Sequence, residues 1–396
     1  MPAGPKSTLR DVVAVLDELY DPRTAEPWDA VGTILGDLDA GVGRVLLAVD
    51  PVQAVADEAV ALDVDLVVTH HPLWLSGVTA LPASDPKGRV AHTLLSNGIA
   101  LHTCHTNADI PPRGVSAAMA DALGLVESRP LQPATDPGPD LWTVFVPRDD
   151  ADAVLAAMHA AGAGHHDGYD QVAFRWPGTG QFRPLAGADP AIGRIGELEH
   201  VEEVALRLVA APGVREQVRA AMAAAHPYEV VAYDVVVGQP VPSDRGTGRI
   251  GRLPEPMPLA AFAQHVREAL PAHGGATRLA GDPDRLVETV GLCGGSGDFL
   301  LGVATAAGAD VYVTSDLKHH VVSEHLERSD ACAVIDVPHW AAEWTWLPVA
   351  AAALTERLGA TVVPQVSTLV TDPWTVSLVH PHSSSTDHPL DHRSPR

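Results

Sequence analysis

At 396 residues the chain exceeds what one ordinary hydrophobic core supports, so two or three domains are expected. Its formal charge of −24, from 26 basic against 50 acidic residues, repels phosphate backbones, and no run of Lys or Arg offsets it, which disfavours nucleic acid as a partner. No apolar run reaches the ~20 residues of a membrane span and the first residues (MPAGPKSTLR) lack the apolar stretch of a signal peptide, so a cytoplasmic protein without membrane contact is expected.

The first third alternates strand and helix. Residues 44–50 (RVLLAVD) read as a strand, 52–62 as a helix, and 66–69 (LVVT) as a second strand ended by His70-His71-Pro72. A helix around 89–96 leads to a third strand at 99–103, and another helix spans 115–123. Apolar strands alternating with helices imply parallel pairing in a three-layer αβα domain. A Pro-rich stretch near 131–140 marks a boundary. Beyond it the order is strand (141–146), helix (151–161), strand-like pieces, strand (201–209), helix (214–225) and strand (230–237), the ferredoxin-like order of an inserted α+β module. Residues 238–251, rich in Gly and Pro, read as its exit. The last third returns to alternation, with strands at 287–293, 310–314 and 331–337, helices at 298–307 and 321–328, a long helix at 340–358, and a final strand at 361–366. The expected organisation is therefore a main metal-binding domain in two halves, 1–130 and 247–380, interrupted by the α+β domain at 138–242. A polar tail, 381–396, is expected to be disordered. Cys104, Cys293 and Cys332, odd in number and far apart, read as buried reduced thiols.

Candidate chemistry sits at strand ends, where open α/β sheets place their ligands. His70 and His71 close a buried strand and can face one crevice if the chain turns there. Alone, the pair is equally compatible with packing or a surface turn. Asp109 follows the 99–103 strand, where a helix cap or turn is the ordinary role of an Asp. His339 and Glu343, four apart after Pro338, project from one helical face and suit a divalent cation, or a surface pair. Together these elements supply three imidazoles and two carboxylates. That set is adequate for two divalent ions ~3.5–4 Å apart (Zn, Fe, Mn, Co or Ni), with Asp109 or Glu343 as bridge. Asp316 and His320 follow another strand as second-sphere partners, acid–base groups, or a helix cap and a surface His. The loop Gly294-Gly295-Ser296-Gly297 could hold a phosphate on its amides, or form a tight turn.

THHP, HTNAD, GGSG, TSDLKHH and PHWAAEW, in this order, resemble the Nif-three-like dinuclear metal-centre family, whose members are often labelled GTP cyclohydrolase 1 type 2 homologues. The middle, through residues 178–193 (GTGQFRPLAGADPAIG) and 226–234 (HPYEVVAYD), is similar to the module inserted in longer members. The resemblance implies that His70, His71, Asp109, His339 and Glu343 hold two metals. It also implies an αβα domain split by a PII-like or CutA-like insert, and a homo-hexameric toroid. Two functions are expected from it. The first is a metal-dependent hydrolase, in its GTP cyclohydrolase version attacking C8 of a guanine nucleotide, with His320, Asp316 or Glu343 moving protons and 294–297 holding phosphates. The second is a non-enzymatic, metal-loaded toroidal scaffold or ligand-sensing protein.

Overall fold

The computed structural model describes residues 7–166 and 168–378, and the tail read as disordered from 381 lies outside them. The chain forms two compact units, one made of residues 1–133 with 244–396 and the other of residues 134–243.

The larger unit contains two major sheets. In the first, strands Arg44–Ala48, Leu66–Thr69, Ala100–Thr103 and Val363–Val366 run parallel, and Gly32–Leu35 pairs antiparallel on the edge. Leu66–Thr69 is buried along its whole length, as expected for a central parallel strand covered on both faces. In the second sheet, Leu286–Ser296, Val311–Ser315 and Ala333–Asp336 run parallel, while Val241–Pro258 and Arg278–Ala280 pair antiparallel to them. One continuous cluster joins both sheets: Val45, Leu66 and Val68 from the first, and Val290, Val313 and Ile335 from the second. Between them lie Leu9–Leu19, Val115–Ala122, Leu259–Ala269 and Trp346–Leu358, each a helix contributing buried residues to that cluster. Gln53–Ala61 and Pro86–Ser96 cover the outer face of the first sheet, and Leu301–Ala306 and His319–Leu326 that of the second. Each sheet therefore has the three-layer αβα surroundings the alternation implied, with the inner layer shared.

The differences from the sequence reading have local causes. The expected helix over 340–358 is two, His339–Trp344 and Trp346–Leu358. Pro348 has no N–H for the Trp344 carbonyl and its ring crowds that carbonyl, so the helix restarts and Pro348 falls in a first turn that tolerates it. Residues 238–251 are not merely an exit. Most of them belong to the long strand Val241–Pro258, in which Pro254 and Pro256 fall within a register shift between Arg252 and Met257. The helix Leu9–Leu19 carries a capping box, with Thr8 accepting from the Asp11 amide and Asp11 accepting from the Thr8 amide.

The smaller unit follows the order strand–helix–strand–strand–helix–strand: Asp140–Pro147, Ala151–Ala160, Phe174–Phe182, Glu199–Ala210, Arg215–Ala225 and Tyr233–Val236. Its antiparallel sheet runs fourth, first, third, second, which is the ferredoxin-like arrangement. Trp142, Val144, Met158, Leu206 and Met222 form a separate core on one face. The three cysteines are free and buried. Among the described residues no helix is long and apolar enough to cross a membrane.

Candidate metal centre

Strand register brings the first groups together. Ala48 lies beside Thr69, and Thr69 beside Thr103, in three neighbouring parallel strands. The ladder continues past the strand ends, because the His70 and His71 amides donate to the Ala48 and Val49 carbonyls and the Cys104 amide donates to the Thr69 carbonyl. Two residues beyond the paired positions stand Asp50, His71 and His105, on one rim of the sheet. Asp109 ends the short helix Thr106–Asp109 that follows His105. From the second sheet, the helix after Ala333–Asp336 presents His339 and Glu343 four residues apart on one face.

Glu343, almost fully buried, stands at the centre. Its Oε1 lies 2.7 Å from His339 Nε2 and 3.3 Å from His70 Nε2, and its Oε2 lies 3.0 Å from His71 Nε2. Asp109 Oδ1 is 4.0 Å from His70 Nε2. Two overlapping groups of donor atoms result, His70–His71–His105 and His71–His339–Glu343, each with all its atoms within 4.8 Å. Every imidazole is oriented from behind. Nδ1–H of His70 donates to the Cys104 carbonyl (2.9 Å), that of His71 to Asp50 (2.6 Å), that of His105 to Asp29 (2.7 Å) and that of His339 to Asp316 (2.7 Å). Each such bond selects the tautomer that leaves Nε2 free to act as a ligand, which is the outer-sphere pattern of metal-binding histidines.

Without an ion, the carboxylates and imidazoles hold protons for one another, which a bound cation would displace from Nε2. Burial opposes charge on His71, but Glu343 and Asp50 outweigh it and hold its pKa up to about 10. Glu343 and Asp316 do the same for His339, up to about 11. Burial, together with Glu343, pushes Asp109 up to about 7 against the pull of the imidazoles. Despite its own burial Glu343 is held well below the usual carboxylate range by His71, His339 and His70. Asp109 Oδ1, His339 Nε2 and Glu343 Oε2 are buried yet lack a properly aligned hydrogen bond among the described residues. Buried polar atoms are normally satisfied, and three that converge with mixed N/O chemistry fit divalent cations.

The five residues read as ligands are thus neighbours, and His105 joins them. Asp316 is placed behind His339 rather than facing the donor atoms. His320 is exposed on the first turn of His319–Leu326 with its ring against His319 at 5.2 Å, and belongs to neither donor group. The 294–297 loop does not present a free anion cradle. The Gly294 amide donates to Ser116 Oγ, the helix that follows is only Leu301–Ala306, and a Cβ on Gly295 would lie 2.5 Å from Glu343 Oε1. Gly295, at φ +71°, instead lets the backbone pass close behind the central carboxylate. A cleft of about 710 Å³ reaches the cluster, lined by Asp50, His71, Arg278, Asp316, His339 and the exposed Trp374 among others.

Two sheets sharing one helical layer, a His/carboxylate cluster that could hold metal, and a ferredoxin-like insert define an α/β protein with a candidate metal centre. The model of the Duf34/NIF3 (NGG1p interacting factor 3) family matches residues 7–373, and the chain belongs to that family. It is 46% identical over 369 residues to a GTP cyclohydrolase 1 type 2 homolog of Mycobacterium tuberculosis, covering 92% of this chain and 96% of the relative. The corresponding Bacillus subtilis protein is 38% identical over 338 residues, with 85% and 89% covered. Among solved structures, a Bacillus cereus protein related to NIF3 superposes with a TM-score of 0.75 at 33% identity over 93% of this chain and 99% of its own. Staphylococcus aureus protein SA1388 does so with 0.79 at 25% over 93% and 98%.

Proposed function

We propose that this chain is a dinuclear metal-dependent hydrolase acting on a small molecule that enters by the cleft beside Trp374. The observation that carries the reading is the convergence of the His70, His71 and His339 Nε2 atoms on the carboxylates of Glu343 and Asp109, with His105 beside His70 and His71. His70, His71, His105, Asp109, His339 and Glu343 are the residues that would hold the two cations. When bound, such a pair of ions supplies an activated water and polarises a carbonyl, imine or phosphoryl oxygen. The protein's own part is positional. Asp29, Asp50, Asp316 and the Cys104 carbonyl hold the imidazole rings, and Gly295 makes room for Glu343.

A purine nucleotide is the substrate class suggested by the relatives' names, GTP cyclohydrolase 1 type 2 homolog. The exposed indole of Trp374 offers a face on which a base could stack, and Arg278, bonded to Asp336, is a cation on the same wall. The test is metal analysis per chain followed by incubation of the metal-loaded protein with GTP. Formate release that disappears in His71→Ala is the expected result, and release no greater than in that variant removes the cyclohydrolase version. The homo-hexamer belongs to the same proposal and is read by light scattering on the eluting protein. The alternative, a non-enzymatic metal-loaded assembly that senses a ligand, draws its support from a second cavity in the inserted unit. Metal-dependent turnover of any phosphoester, nucleotide or cyclic amide counts against it.

A further inference from the structure

Within the inserted unit both helices pack on one face of the sheet, and a cavity of about 540 Å³ is built on the other. This lies within the size range of small-molecule sites. Its floor is Glu203, whose residue is only 9% exposed. The floor is set by a glycine: Gly180, the register partner of Val201, lies diagonally from Glu203, and a Cβ on it would stand 2.3 Å from the Glu203 carboxylate. Glu203 Oε1 accepts from Tyr228 OH at 3.0 Å, and Oε2 takes no hydrogen bond among the described residues. Tyr228 is in turn positioned by His226, whose Nδ1 accepts from the Tyr228 amide while Nε2–H donates to the Phe145 carbonyl.

The walls are aromatic. Trp176, Phe145 and Phe182 line the cavity, and Phe182 meets Tyr228 edge-on at 5.5 Å. The mouth is bounded by the segment 184–192, which is tethered where the Asp189 amide donates to Glu229 Oε2 at 3.0 Å. The charge of the lining is one-sided. It contains Glu203 and Glu229 but no Lys, Arg or His. A phosphate or carboxylate would find no cation there, whereas the unpartnered oxygen of a largely buried Glu203, with aromatic faces around it, attracts a cation bearing N–H donors.

We propose that the inserted unit carries a second ligand site, separate from the metal centre, that takes a compact organic cation: an ammonium, amidinium or guanidinium on an apolar or aromatic body. The charged end pairs with Glu203 and the body lies among Trp176, Phe182 and Tyr228. Neither the metals nor the hydrolase reading enters this argument, so either can fail without the other.

The probe is benzamidine, titrated calorimetrically into the full chain, with neutral benzamide as its uncharged isostere. One benzamidine per chain is expected. Benzamide, and benzamidine on Glu203→Gln, should each bind about tenfold weaker or more, since a charge-assisted contact is lost. Trp176→Ala, which alters a half-exposed wall residue, should weaken benzamidine and benzamide alike, and serves if Glu203→Gln does not fold. Metal content should be unchanged in both variants. No saturable binding, or equal binding of benzamidine and benzamide to the unaltered protein, overturns the proposal. So does binding that is indifferent to both substitutions. If instead Trp176→Ala dissociates an oligomer and benzamidine does not bind, the face is a contact between copies and the proposal is wrong.

Discussion

Asp316 has φ +58°, in the left-handed region that Asn tolerates and most residues do not, and its carboxylate holds Nδ1–H of His339 at 2.7 Å. Asp316→Asn therefore keeps the backbone and removes only the charge behind a ligand. We predict a 10–100-fold loss of divalent-metal affinity, typical of outer-sphere substitutions, measured by competition with a chelating dye. Melting in chelator should hardly change, because the side chain is largely exposed. Unaltered affinity would show that His339 needs no orienting partner. Gly295→Ala meets both a positive φ and the 2.5 Å approach to Glu343 Oε1. Lower metal occupancy per chain is expected, with about 1–3 kcal/mol lost from the chelated protein. Full loading at wild-type affinity would mean that the loop yields. His70, His71, Asp109, His339 and Glu343 were legible only as a set, because three strand ends each carried a ligand type and His339 and Glu343 share a helical face. His105 was not singled out, though its signal was available: with Thr69 beside Thr103, His105 is the register partner of His71, and Asp50 occupies the same place one strand over. Asp29 gave no signal, since it reaches His105 from a loop with no periodicity to read.

At the scale of elements, the short strand Ala100–Thr103 carries a cost for its position. His102 is buried within it, touching Thr33 Oγ1 through Nδ1 at 3.1 Å, and burial pushes its pKa down to about 4. The unfolded chain takes up this proton near the ordinary value of about 6.5, whereas the folded chain does so only near 4. Between those values the unfolded state binds more protons, so stability is lost as pH falls, by up to about 1.4 kcal/mol per pH unit, and no penalty remains above about 7. His102→Asn should flatten that part of the slope, whatever it does to stability at pH 7. The measurement is urea unfolding of chelated wild type and variant at pH 7, 6 and 5. Parallel slopes would exclude His102 as their source. Elements of this kind were readable because four-residue apolar runs bounded by turns and helices have few alternatives. Val241–Pro258 was not, because its Gly and Pro residues speak locally for a loop and only pairing with Leu286–Ser296 makes it a strand. The break at Thr345 was readable in principle from Pro348, three residues on.

For the whole molecule, the ligands and the cores are distributed unequally. His70, His71, His105, Asp109, His339 and Glu343 all belong to the unit formed by residues 1–133 and 244–396, and the inserted unit has its own core around Trp142. An ion bound only by the folded state stabilises it by mass action, by about 4 kcal/mol at a free concentration a thousand times Kd. The gain should be large here. Without cations Asp109 stays buried beside Glu343 with its pKa held up to about 7, chiefly by burial, and the overall −24 adds to the cost of carboxylates there. Chelation should therefore lower the melting midpoint of the larger unit by several degrees and leave that of the inserted unit in place. Benzamidine, by the site around Glu203, should raise only the second midpoint. Differential scanning calorimetry of the full chain resolves the two if each unit unfolds as its separate core suggests. The two are assigned by their ligands, chelation moving the first midpoint and benzamidine the second. If chelation displaced both transitions equally, the two units would be one cooperative body. A larger unit whose melting was indifferent to every divalent cation would remove the metal centre itself.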